Sequence, residues 1–298
     1  MRAFVRGMLL PSLHRYPLVR GVSRIGSSGL VKWSFADLPG SVEARLRSGG
    51  RVDVDPRDWD GRIAFAFGQG DPALMRLFAA VLEPGDTALD VGANLGVLSL
   101  HAAALVGDGG RVVAYEPQPA LADALRVAGE RSGLASLIVR EVALGRTAGA
   151  GTLHTEAGHS GKASLVRGDE GGLRVTVVDG AGEMAALGVA RPRLMKIDVE
   201  GFEMEVFSGL GSWLAETGPD VVVYEIGEDA GDCSRLLSAA GYDVHTIVRT
   251  WTDVRFMPFS GDGPPPPEAQ DCLAVRRDAA GTGCDWIARR VEAPAAGR

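Results

Sequence analysis

The feature that most constrains this chain is an alternation of short apolar strands with helices. Residues 87–92 form an apolar run that ends in glycine, and residues 95–107 follow with the pattern of a buried helix. A second strand is predicted at 111–117, and the helix predicted at 119–133 begins with a proline. This alternation predicts a parallel sheet whose two faces are covered by helices.

The alternation is interrupted once and then resumes. After a third strand at 136–144, glycine-rich turns separate three short segments that predict an inserted hairpin region, at 151–158, 162–168 and 173–180. The remainder predicts strands at 193–200, 220–227, 242–249 and 272–277, one helix with an apolar stripe from Phe202 to Leu214, and another helix at 229–240. Because the loop between the last two strands lacks a helical period, we expect an antiparallel pair at one edge.

Charge divides the chain into two unequal parts. The first 36 residues contain no acid and six cations, which are Arg2, Arg6, Arg15, Arg20, Arg24 and Lys32. The formal net charge of the chain is −7, so the rest carries −13. We therefore expect residues 1–60 to be a basic N-terminal extension or cap and residues 61–298 to be one catalytic domain. The extension is interpreted as a solvated basic helix, or as an amphipathic helix over a substrate or an anionic surface.

Composition argues against several classes of function. Sequence-independent binding of nucleic acid needs a basic face, which an acidic body does not provide. No segment reaches about 18 uninterrupted apolar residues, so no membrane span is expected, and the first apolar run stops at Pro11, too early for a secretory signal. The three cysteines form no Cys-x-x-Cys pair, which indicates free thiols and a cytoplasmic location. A homo-oligomer is compatible with all of these features.

The strongest local signal is DVGANLG, where the first of these strands meets its helix. Gly92 allows a tight turn, and Gly96 allows close approach to the start of the helix. A carboxylate at Asp90 would repel a pyrophosphate but suits the ammonium group of an amino acid. Glu116 ends the second strand, where an acid accepts both hydroxyls of a ribose. A nucleoside joined to an amino acid is S-adenosylmethionine, which is the predicted cofactor.

A second signal, KIDVEGFE, lies where the fourth strand of the alternation meets its helix. Ligands in open α/β sheets bind beyond the carboxyl ends of the strands, so we expect this segment to lie near the glycine-rich loop. Asp198 stands where a strand would normally stay apolar and is interpreted as functional. Glu200 and Glu203 are interpreted either as functional or as acids that stabilise the start of a helix.

Six motifs, in this order, resemble those of the FkbM family of S-adenosylmethionine-dependent methyltransferases: DVGANLG, VVAYEPQP, VALG, VTVVD, LMKIDVEGFEMEVFSGL and VVVYEIGE. The resemblance covers about residues 60–280, and KIDVEG is its specific part. It implies a class I methyltransferase, a Rossmann-like α/β fold with a seven-stranded, mostly parallel sheet and an antiparallel last strand. It also implies O-methylation of hydroxyl groups on small molecules, often sugars or polyketide-type natural products.

The resemblance also implies roles for individual residues. The methionine end of the cofactor would be held by Asp90, Gly92, Asn94 and Gly96, the ribose by Glu116, and the adenine by residues around Val142. The sequence departs from the pattern at the last of these positions. Many class I enzymes place an acid at the close of the third strand, whereas here the acid comes one step early, at Glu141.

Methyl transfer to a hydroxyl requires aligned reactants and removal of a proton. The catalytic candidates are Asp198, His159 in the inserted segment, and Glu200. His154 is the other histidine between the third and fourth strands, and both histidines also fit exposed loop positions. A Mg²⁺ ion on Asp198, Glu200 or Glu225 would replace the base, but the sequence shows no dense acidic triad and no metal is predicted.

Two other functions stay open at this point. One is a NAD-dependent oxidoreductase on a Rossmann sheet, which is disfavoured because Asn94 replaces the second glycine of the dinucleotide fingerprint and Asp90 precedes it. The other is a catalytically silent module that binds S-adenosylmethionine. The chain has IDVEG where amino-methyltransferases have an Asn/Asp-Pro-Pro-aromatic loop, and this favours an oxygen acceptor whose identity the sequence does not give.

Overall fold

The structure is a computed structural model that describes residues 1–16, 19–156, 159–166, 172–279 and 283–292. A mixed eight-stranded sheet forms the body, accompanied by a four-stranded sheet and a two-stranded hairpin. Within these residues, no helix is both long enough and apolar enough to cross a membrane.

The N-terminal part is mainly helical, although its sequence lacks a clean period. Its elements are α1 (Arg2–His14), α2 (Val22–Gly26), α3 (Gly29–Phe35), β1 (Val42–Arg45), β2 (Arg51–Val54), α4 (Trp59–Phe67) and α5 (Pro72–Val81). Helices α1 to α4 share a small apolar core that includes Leu13, Phe35 and Phe67. A boundary at residue 60 therefore falls inside α4, whose apolar side packs against the N-terminal helices.

The remaining elements follow the predicted alternation. They are β3 (Thr87–Val91), α6 (Val97–Val106), β4 (Arg111–Tyr115), α7 (Pro119–Arg131), β5 (Leu137–Arg140), β6 (Ala143–Gly145), β7 (Gly149–Glu156), β8 (His159–Val166), β9 (Leu173–Asp179), α8 (Gly180–Ala186), β10 (Leu194–Ile197), α9 (Glu203–Leu210), α10 (Ser212–Thr217), β11 (Val221–Glu225), α11 (Ala230–Ala239), β12 (Tyr242–Arg249), β13 (Val254–Pro258), β14 (Ala269–Arg276) and α12 (Asp285–Glu292).

The large sheet has the order β13-β12-β14-β11-β10-β3-β4-β5. Strands β5, β4, β3, β10 and β11 are parallel, and β14 is antiparallel to both β11 and β12. This confirms the class I fold and the antiparallel last strand. The sheet has one strand more than the expected seven, because β13 pairs antiparallel with β12 at the edge.

The predicted helix from Phe202 to Leu214 is two helices. Gly211 has a φ of 51°, and the chain turns there between α9 and α10. The apolar stripe is continuous because both short helices cover the same core: Val206, Phe207, Leu210 and Leu214 all belong to it. Periodicity detects the buried face, but it does not detect a break that leaves this face intact.

The inserted region forms a sheet with the order β6-β9-β7-β8. Residues 157–158 and 167–168 of the predicted segments, and the intervening residues 169–171, lie outside the described residues. Leu153 and Leu165 point into the same core as Val91 and Tyr115 of the large sheet. The insertion therefore covers the carboxyl ends of β3 and β4, where a ligand is expected.

Candidate active site

The loop that follows β3 passes directly against the loop that follows β10. Gly92 has a φ of 79°, and a Cβ atom at this position would lie 1.9 Å from the backbone oxygen of Asp198. Glycine alone combines this left-handed backbone with so close an approach. The N–H of Asp198 donates to the backbone oxygen of Val91 at 3.0 Å, so the two loops are held together.

Asp90 and Lys196 form a buried ion pair beneath these loops. They are partners in the parallel register of β3 and β10, so their side chains leave the same face of the sheet. Lys196 Nζ lies 3.2 Å from Asp90 Oδ1, and Ser99 Oγ donates to Asp90 Oδ2 at 2.5 Å. Asp90 is 1% exposed and lines neither cavity described below. The predicted contact of Asp90 with a ligand ammonium therefore has no support in this geometry.

Lys196 is a site residue that the sequence analysis missed, although a single cation within the apolar strand LMKI is a signal. Its ammonium group donates to the backbone oxygen of Gly92 at 2.7 Å and lies 3.4 Å from Asp198 Oδ2. Burial by itself lowers the pKa of Lys196, but the charges of Asp90 and Asp198 more than offset this and raise the pKa above its usual value. Lys196 is therefore charged at neutral pH and balances Asp90.

Glu116 links the end of β4 to the glycine-rich loop. Its carboxylate is 3% exposed and accepts hydrogen bonds from the backbone N–H groups of Asn94 (2.8 Å) and Gln118 (2.9 Å). Burial raises the pKa of Glu116, and the two hydrogen bonds and the charge of Lys196 oppose this rise. The hydrogen bond from the Asn94 N–H group to Glu116 thus fixes the backbone of Asn94, which has a φ of 51°.

A narrow cavity lies at the ends of β3, β4 and β10, where ligands bind in open α/β sheets. Its polar wall contains Asn94, Glu116, Asp198 and Glu200. Asn94 Oδ1 is buried and has no hydrogen-bond partner among the described residues, which makes it an available acceptor.

The opposite wall of this cavity is apolar and is formed by Val142, Ala143, Leu144, Leu153, Leu165 and Phe202. Val142 is thus where an adenine contact is expected. Glu141, the displaced acid, does not line the cavity and pairs with Arg126 at 3.3 Å. An apolar wall in place of an acid leaves adenine to be held by packing on this side.

A second, wider cleft adjoins the first cavity. The residues that line both are Gly92, Asn94, Asp198 and Glu200. Gly96, with a φ of 74° at the start of α6, lines the cleft but not the cavity. The N-terminal part supplies one wall of the cleft through Val19–Ser23 and the first turns of α4. The protein therefore has a cavity and a wider cleft that meet at Asp198 and Glu200.

Three acids at this junction lie close together. Asp198, Glu200 and Glu225 each bring a carboxylate oxygen within 4.8 Å of the others. Glu225 ends β11, the parallel neighbour of β10, and this pairing joins acids that are distant in sequence. Burial, followed by the charges of Asp198 and Glu200, raises the pKa of Glu225 to about 9. These three side chains are the ones that would hold a divalent cation.

Glu203 has a structural role. It is 1% exposed, and its Oε1 accepts hydrogen bonds from the N–H groups of Val199 (3.0 Å) and Gly201 (3.4 Å). It thereby fixes the loop between β10 and α9. Glu200, within this loop, has a φ of 52° and faces both cavities.

The described residues give little information on the two histidines of the inserted region, His154 and His159. β8 begins at His159, whose side chain lies outside the described part of the structure, so its catalytic role stays a prediction. His154 lies on β7 opposite Ser164 of β8. Neither residue lines the two cavities as far as the structure describes them.

The acid cluster gives a prediction about stability. The folded protein holds a proton on Glu225 at neutral pH, whereas an unfolded chain with the ordinary pKa of 4.5 does not. Folded-state stability therefore declines as pH rises from about 4.5 to 9. We expect Glu225→Gln to remove this decline and to be more stable than the wild type at pH 8 by about 1–2 kcal/mol, after allowance for solvent screening.

The measurement is urea denaturation across this pH range in metal-free buffer. Glu228→Gln, which alters an exposed acid on the next loop, is the matched control and should follow the wild type. A gain that is equal at pH 5 and pH 8 would contradict the assignment of the proton to Glu225.

Comparison with known proteins identifies the family of this chain. The family model of the methyltransferase FkbM domain matches residues 90–244. The hexuronic acid methyltransferase AglP of Haloferax volcanii is 29% identical over 177 residues, which are 58% of this chain and 70% of AglP.

Two solved structures have lower similarity. An S-adenosylmethionine-dependent methyltransferase from Agrobacterium tumefaciens has a TM-score of 0.43 at 11% identity, over 80% of this chain and 70% of that one. The O-methyltransferase TomG from Streptomyces achromogenes, solved in complex with S-adenosylmethionine, has a TM-score of 0.39 at 17% identity, over 68% of this chain and 78% of that one.

Proposed function

The chain belongs to the FkbM family of S-adenosylmethionine-dependent methyltransferases, and from this premise we propose that it methylates a hydroxyl group of a small-molecule acceptor. The observation that carries the proposal is the position of Asp198, which lines both the narrow cavity and the wider cleft and is contacted by Lys196. A methyl donor in the cavity and an acceptor in the cleft would meet at this acid.

The lining of the narrow cavity suits S-adenosylmethionine in three respects. The buried carboxylate of Glu116 suits the ribose hydroxyls, and the apolar wall around Val142 suits adenine. The unpartnered Oδ1 of Asn94 suits the ammonium group of the methionine end. We assign Asp90 a positioning role, because it holds Lys196, and Lys196 holds the backbone of Gly92.

The proposed mechanism rests on alignment and proton removal. The bound cofactor supplies an electrophilic methyl group on its sulfonium sulfur. Asp198, with 39% of its side chain exposed, accepts the proton of the acceptor hydroxyl, and Lys196 at 3.4 Å orients its carboxylate. Glu200 lies at the same junction and orients the acceptor. His159 is the alternative base.

The acceptor is proposed to be a sugar or a similarly hydroxylated compound. AglP, the relative from Haloferax volcanii, is a hexuronic acid methyltransferase. The cleft is lined by cations such as Arg20 and Arg249 as well as by acids such as Asp60 and Glu268. Mixed donors and acceptors of this kind form hydrogen bonds with a ring of hydroxyl groups.

Two measurements test the function. Titration calorimetry with S-adenosylhomocysteine and with NAD examines the cofactor, and tight binding of NAD alone would overturn the proposal. Mass spectrometry then examines a panel of hydroxylated sugars and polyketide-type compounds for the gain of one methylene unit. A product methylated on nitrogen or carbon would refute the choice of oxygen, and cofactor binding with no product from any acceptor class would favour a silent module.

Glu116→Gln should weaken S-adenosylhomocysteine binding about 10- to 100-fold. Glu116 accepts two backbone hydrogen bonds, and an amide has one oxygen, so one N–H donor loses its partner and the loop at Asn94 moves. Calorimetry measures the change. Glu141→Gln, an exposed acid one strand away, is the control and should bind as the wild type does. Equal affinities of both variants would remove Glu116 from the cofactor site.

A further inference from the structure

The outward face of α1 is apolar. Met1, Phe4 and Met8 are 91%, 72% and 64% exposed, and they follow the spacing of one helical stripe. Pro11 and Arg15 continue this stripe and are also exposed. A solvated helix normally turns such residues inward, so this face is available for a contact.

The opposite face of α1 is fixed to the protein. Leu13 is buried in the core shared with α3 and α4. Arg6 pairs with Asp37 at 2.7 Å and donates to the backbone oxygen of Ser34, and the guanidinium of Arg2 lies 5.5 Å from the centre of the Trp33 ring. These contacts set the rotation of the helix and leave Phe4 and Met8 outside. Their exposure is therefore built into the packing of α1.

The segment that contains this face is cationic, although Arg6 is paired with Asp37. The first 36 residues carry six cations and no acid, whereas the rest of the chain carries a net negative charge. Exposed cations in this segment are Arg15, Arg20, Arg24 and Lys32, and Leu30 of α3 is a further exposed apolar side chain at 54%. An anionic surface attracts the cationic, apolar end of such a protein and repels its acidic body, so the protein approaches with the cationic end toward the surface.

We infer that α1 docks the protein on an anionic lipid surface, with Phe4 and Met8 inserted among the lipids and the exposed cations of the same segment, such as Arg15, against the headgroups. A second copy of the chain is a less suitable partner for this face of α1 than a lipid surface. A symmetric dimer brings the same patch of both chains together and would oppose two cationic segments. Val19–Ser23, from the same cationic segment, line the cleft that is proposed to hold the acceptor.

The test is co-sedimentation of the full chain with phosphatidylcholine vesicles, with and without phosphatidylglycerol. We expect binding to the anionic vesicles only, decreasing with salt, and reduced at least about tenfold by Phe4→Glu together with Met8→Glu. Val127→Glu with Met257→Glu changes two exposed apolar residues elsewhere and should bind as the wild type does. Both double variants should keep the circular dichroism spectrum and the urea midpoint of the wild type, which verifies folding independently of the proposed function.

Three outcomes would overturn this inference. The first is equal binding of both vesicle types or of neither. The second is unchanged binding of the Phe4/Met8 variant. The third is binding to a different partner in place of vesicles. That partner would be either a second copy, seen by light scattering as a dimer that the wild type forms and the Phe4/Met8 variant does not, or soluble polyglutamate.

Discussion

Replacement of Lys196 by methionine is expected to lower the free energy of unfolding by about 3–5 kcal/mol. The ammonium group is buried and contacts two acids, and the side chain of Asp90 is only 2% exposed. Methionine preserves the length of the side chain but leaves Asp90 charged with only the hydroxyl of Ser99 as a donor. The hydrogen bond to the backbone oxygen of Gly92 is lost as well. Urea denaturation measures the effect.

A double variant separates the ion pair from simple packing. Asp90→Asn with Lys196→Met removes both charges and should recover about 2 kcal/mol relative to Lys196→Met alone. Lys32→Met, at an exposed position, is the matched control and should change stability by less than about 0.5 kcal/mol. If Lys196→Met proves no more damaging than Lys32→Met, the buried pair is not what holds the two loops.

Replacement of Asp198 by asparagine is expected to reduce turnover by about 10²- to 10⁴-fold while S-adenosylhomocysteine binding is retained. Asparagine is nearly isosteric and keeps an oxygen at the junction of the two cavities, but it cannot take a proton from a hydroxyl. Asp198 and Glu200 are the two acids that line both cavities, and Lys196 contacts Asp198. Single-turnover assays with a methyl acceptor measure the chemical step.

Two further variants decide between the candidate bases. Glu205→Gln changes a nearby acid on α9 that lines neither cavity and should leave turnover unchanged. His159→Asn tests the alternative base. Full turnover by the Asp198 variant together with loss of turnover in the His159 variant would transfer the proton step to the inserted region.

The sequence predicted much of the fold because the local signals are strong. Strands β3 and β4 and helices α6 and α7 were predicted from short apolar runs and from glycine and proline at their ends. These signals act within a few residues and depend little on the rest of the chain. The break at Gly211 was missed because it leaves the buried face of the helices intact. The edge strand β13 was missed because it is only five residues long and mostly exposed, so its apolar pattern is weak.

Part of the candidate site was also predicted from local signals, because its motifs lie at the ends of strands. Gly92, Asn94, Glu116, Val142 and Asp198 were expected near one ligand, and all five line one cavity. Their motifs sit at strand ends, and parallel strands bring their carboxyl ends to one edge of the sheet.

The sequence by itself determined the alternation, the class of sheet and the edge at which a ligand is expected, because hydrophobic period and turn chemistry are local. Only the tertiary structure decided that Asp90 faces Lys196 and that Glu225 joins Asp198 and Glu200. It also decided that the N-terminal helices form a wall of the cleft and turn Phe4 outward. These features depend on the register of neighbouring strands and on packing between distant segments, which local patterns do not encode.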